Sequence, residues 1–413
     1  MTSRERFLRT FNGDRTDRIP VTYFIVDQGH FLASEYPSLD PHNYDAVHDK
    51  MLELYRQIGG DILFRACYGI NPMYLQYGGL NVYRNPLDYS FDEGSENYIP
   101  PGEKTRFSLN ENWDIETKCT RTDSSVVHDS IIRTPLGELS QQFTINEILP
   151  KTFLYGCTKK PVSTPKDVEI VRRYEPRIPS GYKELIRKKV DRLKGNIGND
   201  GILSTWTPHG PFNIASLLIP EEDLYSLFLV DYEFYSSLMD LCIERTQDYV
   251  DALSEAGVDA HSIGANVAGG FLGRQSYDKF VMPFEKRYID IVQSKGIPAI
   301  YHNCGHVMSL LESYIDVGPR IIEPFSPHPL GDGDIPKAKE LLKDKAVIIG
   351  NLDQVNILKP GPLGVIEKKT VETVNQGKPR GNYIFQTADF IEYDTPAEHV
   401  SAMVDTAVDS GDM

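Results

Sequence analysis

Short apolar runs alternate with amphipathic segments over most of this chain, and after residue 161 the alternation becomes regular. Short apolar runs that contain β-branched residues predict buried strands, and the longer segments with apolar residues three and four apart predict helices. Each such run after residue 161 is followed by a helical segment, so six successive βα units are predicted. Their strands are expected at 201–205, 260–263, 297–302, 320–323, 346–350 and 382–386.

Two further strands are predicted nearer the N-terminus, at 19–26 and 61–65, with a helix over 43–58 between them. Eight strands that alternate with helices favour a closed (β/α)8 barrel, the TIM barrel, over an open sheet. No G-x-G-x-x-G or Walker sequence follows a predicted strand. A nucleotide-binding sheet therefore has little support.

The region from about 70 to 150 has a different texture from the rest of the chain. It is dense in Tyr, Asn, Gly and Pro, and it contains alternating runs at 126–132 and 137–145. Such alternation, bounded by turn residues, predicts β-hairpins. We expect a β-rich insertion over 70–150, after the second strand, within a single barrel domain that spans 1–413.

Composition narrows the class of protein further. The 413 residues carry a net charge of −16, which disfavours sequence-independent binding to nucleic acid or to an anionic membrane surface. The five cysteines have no regular spacing, so reduced thiols are expected. The first residues are charged, and no run approaches 18 apolar residues, so neither a signal peptide nor a membrane span is predicted. A cytoplasmic enzyme is predicted, and a homodimer is left open.

The strongest candidate for chemistry is the end of the predicted strand 297–302. Residues two apart on a strand point to the same side, so His302 and Cys304 would face one place and supply half of a mixed nitrogen and sulfur zinc site. Glu323 ends the next predicted strand and would lie beside them. His302, Cys304 and Glu323 together would make a three-ligand zinc site with a fourth position open.

Other polar residues follow neighbouring strands and would converge on the same barrel mouth. Asp389 or Asp353 could complete the metal sphere or act as acid or base, although Asp after a strand also caps helices. His209, in Pro-His-Gly-Pro, either faces the mouth or binds turn carbonyls, and His261, within a strand, is expected to be buried and hydrogen-bonded. Catalysis is assigned to Asp389 and His209. Substrate contacts are assigned to Trp206, Asn266, Tyr301, Asn351 and Asp353.

Several of these motifs resemble the uroporphyrinogen decarboxylase superfamily, and the resemblance extends over nearly the whole chain except the insertion. It implies a (β/α)8 barrel. The segments that carry it are Ser3-Arg4-Glu5-Arg6-Phe7, Asp17-Arg18-Ile19-Pro20-Val21, His302-x-Cys304-Gly305, Ile322-Glu323-Pro324, Pro329-Leu330-Gly331-Asp332 and Ile349-Gly350-Asn351-Leu352-Asp353.

The superfamily has two branches that matter here. Its decarboxylases carry an Arg-rich segment after the first strand to hold substrate carboxylates, but residues 24–30 of this chain contain no Arg. The chain is more similar to the corrinoid-dependent methyltransferases, which carry the H-x-C zinc motif. In those proteins a cobalt corrinoid (cobalamin), held on a separate corrinoid protein, exchanges a methyl group with a small molecule.

One departure from the methyltransferase branch affects the expected reaction. Members that methylate thiols use a second Cys after the last strand, whereas residues 385–389 contain none. With fewer thiolates the zinc would be a stronger Lewis acid, which favours cleavage of a methyl ether. We therefore expect O-demethylation in an anaerobic system, with methyl moving from a small methylated compound, above all a methoxylated aromatic, to the corrinoid cobalt. The alternatives are methyl transfer from the corrinoid to a thiol or tetrahydrofolate, a metal-free decarboxylase, and a catalytically silent binding barrel.

Overall fold

Two β-sheets organise the chain. The structure, a computed structural model, describes residues 1–413 apart from the side chain of Phe271. Seven parallel strands form one sheet in the order β1-β7-β8-β9-β10-β11-β12, and β2 to β6 form an antiparallel sheet. The strands are β1 Ile62–Ala66, β2 Lys104–Asn110, β3 Trp113–Arg121, β4 Ser125–Thr134, β5 Gly137–Leu149, β6 Thr152–Lys159, β7 Gly201–Trp206, β8 Ala260–Gly264, β9 Ala299–His302, β10 Ile321–Glu323, β11 Val347–Leu352 and β12 Tyr383–Thr387.

An extended segment joins the two edges of the parallel sheet. Phe385 exchanges backbone hydrogen bonds of 2.9 Å with Pro20 and Thr22, and the Asp61 amide donates to the Val21 carbonyl at 2.6 Å. The segment therefore fills the eighth position, and the predicted (β/α)8 barrel is confirmed. It is not a full strand because Pro20 has no amide hydrogen and the Val21 amide donates to the Asp61 carboxylate instead.

Helices surround the barrel and follow the strands much as the hydrophobic spacing predicts. The helix predicted over 43–58 is confirmed within one residue of its observed bounds. The helices are α1 Ser3–Asn12, α2 Phe31–Glu35, α3 Tyr44–Ile58, α4 Met73–Gln76, α5 Pro165–Tyr174, α6 Ser180–Ile197, α7 Pro211–Leu218, α8 Glu221–Val230, α9 Tyr232–Ala256, α10 Arg274–Ser276, α11 Met282–Gln293, α12 Leu311–Val317, α13 Ile335–Leu342, α14 Leu363–Gly377 and α15 Ala397–Ser410.

The inside of the barrel is a small core separate from the layer between strands and helices. Each strand points alternate side chains inward, so Ile300 lies inside while Tyr301 packs in the outer layer. Phe7 and Phe11 of α1 belong to the inner core, and each fully buried apolar side chain contributes about 1.5–3 kcal/mol. The other members of this core are Leu63, Ile202, Ala260, Ile321, Val347, Ile349 and Ile384.

The antiparallel sheet confirms that the β-rich insertion follows the second barrel strand. It begins later than predicted, at Lys104, and it ends later, at Lys159. The register of β5 and β6 pairs Ile145 with Tyr155, which continues the meander past residue 150. Within the part of the chain that the structure describes, no helix has both the length and the apolar content needed to cross a bilayer.

Candidate active site with a metal-binding cluster

Three side chains with metal-ligating atoms meet at the carboxyl end of the barrel. His302 ends β9, Cys304 follows two residues later, and Asp389 follows β12. One ligand atom from each lies within 4.8 Å of the other two. His302 is buried, and Cys304 and Asp389 are partly buried. The structure thus brings together His302 and Cys304 from the expected zinc site with Asp389, one of the two residues that the sequence offered to complete it.

Glu323, expected as the third ligand, lies beside this cluster rather than in it. Glu323 pairs with His302 in the register of β9 and β10, and its Oε1 accepts a hydrogen bond from His302 Nδ1 at 3.0 Å. Its Oε2 accepts a hydrogen bond from Arg65 Nη2 at 2.5 Å. Both carboxylate oxygens of Glu323 are thus engaged in hydrogen bonds, and the third potential ligand atom close to those of His302 and Cys304 belongs to Asp389.

The charges around the cluster are strongly coupled. Burial would raise the pKa of Glu323, but the Arg65 guanidinium and His302 outweigh it and lower that pKa. Burial would lower the pKa of His302, yet its hydrogen bonds to Cys304 and Glu323 and the charge of Asp389 raise it well above its usual value. Burial also raises the pKa of Asp389. The negative charges of Glu323 and Asp389 thus stabilise positive charge at His302.

An aromatic wall stands beside His302. Trp206, at the end of β7, is 9% exposed and stacks on Phe24 with ring centroids 5.8 Å apart. Its ring system and the His302 imidazole form a T-shaped pair with ring centroids 5.5 Å apart. Trp206 therefore lies next to the cluster, where the sequence predicts a substrate contact, and it offers an aromatic ring there.

His209 lies in the turn before α7. Its Nδ1 is buried and meets no hydrogen-bonding group among the described residues. A Cβ atom at Gly264 would come within 2.5 Å of that nitrogen, so the glycine leaves room for the ring. Burial, reinforced by the charge of His302, lowers the pKa of His209 to about 4. The imidazole is therefore neutral near pH 7 and can donate or accept one proton in a hydrogen bond.

Two residues expected to contact substrate have hydrogen-bonding partners within the protein. Asn351 is buried and its Nδ2 donates to the Phe325 carbonyl at 2.6 Å. Asp353 accepts hydrogen bonds from the amides of Val355 and Asn356, at 2.9 and 2.7 Å. Asp353 therefore caps the helical turn that follows β11, the alternative that Asp after a strand leaves open.

The remaining expected residues lie apart from the cluster. Tyr301 points to the side of β9 opposite His302, and its hydroxyl donates to Glu285 Oε2 at 3.1 Å in the outer layer. Asn266 is exposed in the loop after β8. His261 is buried, as expected, with its ring nitrogens 2.8 Å from Thr207 Oγ1 and 3.1 Å from Ser254 Oγ.

Sequence reasoning missed Arg65 and Gln386 as parts of this site. Arg65 is fully buried, and its Nη1 donates to Gln386 Oε1 at 3.1 Å. Its guanidinium carbon lies 4.3 Å from the centre of the Phe24 ring. The signal that could have found it is a charged residue within the apolar run Ile62-Leu63-Phe64-Arg65-Ala66, because a buried charge needs a partner.

Comparison with known proteins places these residues in a family context. The profile of the uroporphyrinogen decarboxylase family (URO-D) matches residues 156–409. The uroporphyrinogen decarboxylase of Citrifermentans bemidjiense is 28% identical over 256 residues, covering 60% of this chain and 70% of that protein. The methylcobamide:CoM methyltransferase MtbA of Methanosarcina acetivorans is 26% identical over 237 residues, covering 52% and 65%. The profile match contains His302, Cys304 and Asp389.

A solved structure agrees with the architecture over the whole chain. A methyltransferase from Methanosarcina mazei superposes with a TM-score of 0.64 and covers 99% of both chains at 16% sequence identity. This similarity demonstrates a shared fold, including the region of the antiparallel sheet.

Proposed function

The chain belongs to the uroporphyrinogen decarboxylase family, and from that premise we propose that it is a zinc-dependent methyltransferase working with a corrinoid protein. It moves a methyl group from a small methylated compound to the corrinoid cobalt. The observation that carries the proposal is the convergence of His302, Cys304 and Asp389 within 4.8 Å. The similarity to a protein named methylcobamide:CoM methyltransferase supports the corrinoid partner.

The donor set fits zinc. One imidazole nitrogen, one thiolate and one carboxylate oxygen are zinc ligands, whereas magnesium and calcium prefer oxygen alone. Three protein ligands leave a position for substrate, as catalytic zinc sites require. Glu323 behind His302 is the carboxylate partner that a metal-bound histidine usually has. When bound, zinc supplies a Lewis acid that polarises the atom from which methyl leaves.

The side chains around the cluster have separate roles in this proposal. Trp206, backed by Phe24, provides the aromatic surface beside the cluster, which favours a methoxylated aromatic as methyl donor. The carbon–oxygen bond breaks with its electron pair left on oxygen, while cobalt(I) supplies the pair for the new bond to methyl. His209, neutral and with a free Nδ1, provides a hydrogen bond to the departing oxygen. Asp389 acts as a metal ligand, and the general-acid role first assigned to it is not needed.

Partner and location follow from the same chemistry. The corrinoid has to reach the mouth of the barrel on a separate protein, so the transfer is bimolecular. A thiolate ligand at Cys304 has to stay reduced, which supports a cytoplasmic location. The five cysteines are all free thiols in this structure.

A second candidate is methyl transfer in the opposite sense, from a methylated corrinoid to a thiol or to tetrahydrofolate. The similarity to the Methanosarcina acetivorans protein, a methylcobamide:CoM methyltransferase, favours it. The position of Asp389 argues against a thiol acceptor, because a single protein thiolate gives the zinc more Lewis acidity than two would.

A third candidate is a metal-free decarboxylase, and the similarity to the uroporphyrinogen decarboxylase of Citrifermentans bemidjiense is in its favour. A polycarboxylate substrate needs cationic side chains in the mouth. Arg65 is a buried guanidinium close to the cluster, but Glu323 already neutralises it. The geometry therefore favours the methyltransferase.

Metal content is the first test of the proposal. We expect about one zinc per chain in the wild-type protein by elemental analysis, and a large loss in Cys304→Ser and Asp389→Asn. Cys242→Ala is the matched control, because Cys242 is a buried thiol in α9, away from the cluster. Full zinc content in the Cys304→Ser protein, or none in the wild type, would refute the metal centre.

Methyl transfer is the second test and separates the three reactions. Cob(I)alamin and a methoxybenzoate should give methylcob(III)alamin, which is followed by absorbance. Loss of methylcobalamin only on addition of a thiol or tetrahydrofolate would instead support the second candidate. Release of carbon dioxide by zinc-free protein would support the third.

A further inference from the structure

We infer that Arg65 is a positioning residue that sets the orientation of the metal ligand His302 through Glu323. The inference rests on the proposed metal centre. It adds a residue that contacts Glu323 through the carboxylate oxygen not bonded to His302. Arg65 does not belong to the group of ligating side chains, and it lies on β1, whereas His302 lies on β9.

The three side chains form a continuous chain of hydrogen bonds inside the barrel. Arg65 Nη2 donates to Glu323 Oε2 at 2.5 Å, and His302 Nδ1 donates to Glu323 Oε1 at 3.0 Å. All three are buried, with exposed fractions of 0% for Arg65, 1% for Glu323 and 4% for His302. A displacement of Arg65 therefore changes the position of the carboxylate that holds the imidazole.

Further contacts hold the guanidinium itself in one plane. Its Nη1 donates to Gln386 Oε1 at 3.1 Å, and its flat face lies on the Phe24 ring at 4.3 Å. A planar guanidinium can donate to two separate acceptors while its face lies on an aromatic ring, and a lysine ammonium group cannot. The carboxylate of Glu323 is thus held by a group whose own orientation is fixed.

Stability alone does not explain a charged residue at this place. Burying an ion pair costs desolvation energy that its attraction often fails to recover, and apolar replacements are frequently neutral or stabilising. Arg65 Nε also lacks a hydrogen-bonding partner in the described part of the chain, and a buried donor without a partner lowers the stability of the folded state further. A role in arranging the metal ligand gives this buried charge a function.

The arrangement also determines which nitrogen of His302 is available. An ionised carboxylate only accepts hydrogen bonds, so Glu323 requires the proton of a neutral His302 ring to be on Nδ1. The lone pair of the neutral ring is then on Nε2, on the other side of the ring from Glu323. Outer carboxylates that fix a metal-bound histidine in this way are typically worth 10- to 100-fold in affinity or activity.

The chain contains a matched control for the loss of a buried arginine. Arg245 is also buried, pairs with Glu175 at 2.6 Å and lies over the Tyr74 ring at 5.6 Å. Glu175 contacts none of the three cluster residues among the hydrogen bonds and ion pairs of the described side chains. Arg245→Met thus reproduces the removal of a buried charge and its ring contact without touching the site.

The experiment measures zinc affinity by competition with a chelator, and the absorption spectrum of the cobalt(II)-substituted protein. We expect Arg65→Met to weaken zinc binding about 10- to 100-fold and to change the cobalt spectrum. Arg65→Lys and Gln386→Leu should give smaller losses, and either variant serves if Arg65→Met does not fold. Arg245→Met should keep zinc affinity within about 2-fold of the wild type, even if it unfolds more easily. Wild-type affinity and an unchanged spectrum in folded Arg65 variants would overturn the inference.

A second readout separates this inference from the proposed function. In metal-free protein the proton on His302 Nδ1 should give a downfield NMR signal, absent from His302→Gln and shifted or lost in Arg65→Met. A wild-type protein that binds no zinc but shows this dependence on Arg65 would refute the metal centre and retain the positioning role. A signal that is unaffected in the Arg65→Met variant would refute the positioning role whatever the zinc content.

Discussion

Replacement of Glu285 by Gln should remove a pH-dependent loss of stability. Glu285 lies on α11 with no exposed surface, and its oxygens accept hydrogen bonds from the Phe212 amide at 3.2 Å and the Tyr301 hydroxyl at 3.1 Å. Burial raises its pKa from 4.5 to about 7, although these two hydrogen bonds oppose the shift. The carboxyl group is therefore more strongly protonated in the folded protein than in the unfolded chain.

The sign and size of the effect follow from this difference. Between pH 4.5 and about 7 the folded state binds the proton more tightly, so the free energy of unfolding falls as the pH rises through that range. Since one pKa unit corresponds to about 1.4 kcal/mol, the loss approaches roughly 3 kcal/mol above pH 7. In the Glu285→Gln variant the side-chain amide has no titrating proton, and it can still accept a hydrogen bond from the Phe212 amide and donate one to the Tyr301 oxygen.

Urea unfolding at pH 4.5, 6 and 8 measures the effect. We expect Glu285→Gln to match the wild type near pH 4.5 and to be more stable at pH 8, by no more than roughly 3 kcal/mol. Glu255→Gln, an exposed position on α9, is the control and should leave the difference close to zero at each pH. A stability difference between Glu285→Gln and the wild type that does not change with pH would refute the reasoning.

Three further substitutions test other parts of the structure. Gly264→Ala places a methyl group 2.5 Å from His209 Nδ1, so we expect reduced methyl transfer with an unchanged circular dichroism spectrum; unchanged turnover would exclude a role for His209. Ile202→Ala opens a cavity in the inner core and should lower the free energy of unfolding by about 2–5 kcal/mol in urea. Thr164→Ala removes the side-chain oxygen that accepts a hydrogen bond from the Asp167 amide at the start of α5. It should lower the free energy of unfolding by about 1 kcal/mol, whereas Thr164→Ser keeps the hydroxyl and should not.

The sequence by itself was sufficient for the barrel and for placing His302 beside Cys304, and it offered Asp389 as one of two residues that could complete the cluster. Short apolar runs and helical spacing are local patterns, and each barrel strand has to be buried on both sides whatever its neighbours are. His302 and Cys304 are two residues apart at a strand end, so their common direction depends only on local geometry. The burial of His261 could also be predicted from local sequence, because this residue lies inside a barrel strand.

Only the tertiary structure decided which carboxylate joins the cluster and which supports it. Glu323 and Asp389 both follow strands, and their sequence positions do not distinguish them. Pairing of β9 with β10 puts Glu323 beside His302, and Arg65, far away in sequence, binds its second oxygen. Closure of the barrel brings the residue after β12 next to Cys304. Side-chain roles at the mouth depend on which strands meet across the barrel, and that depends on the closed ring rather than on any single segment.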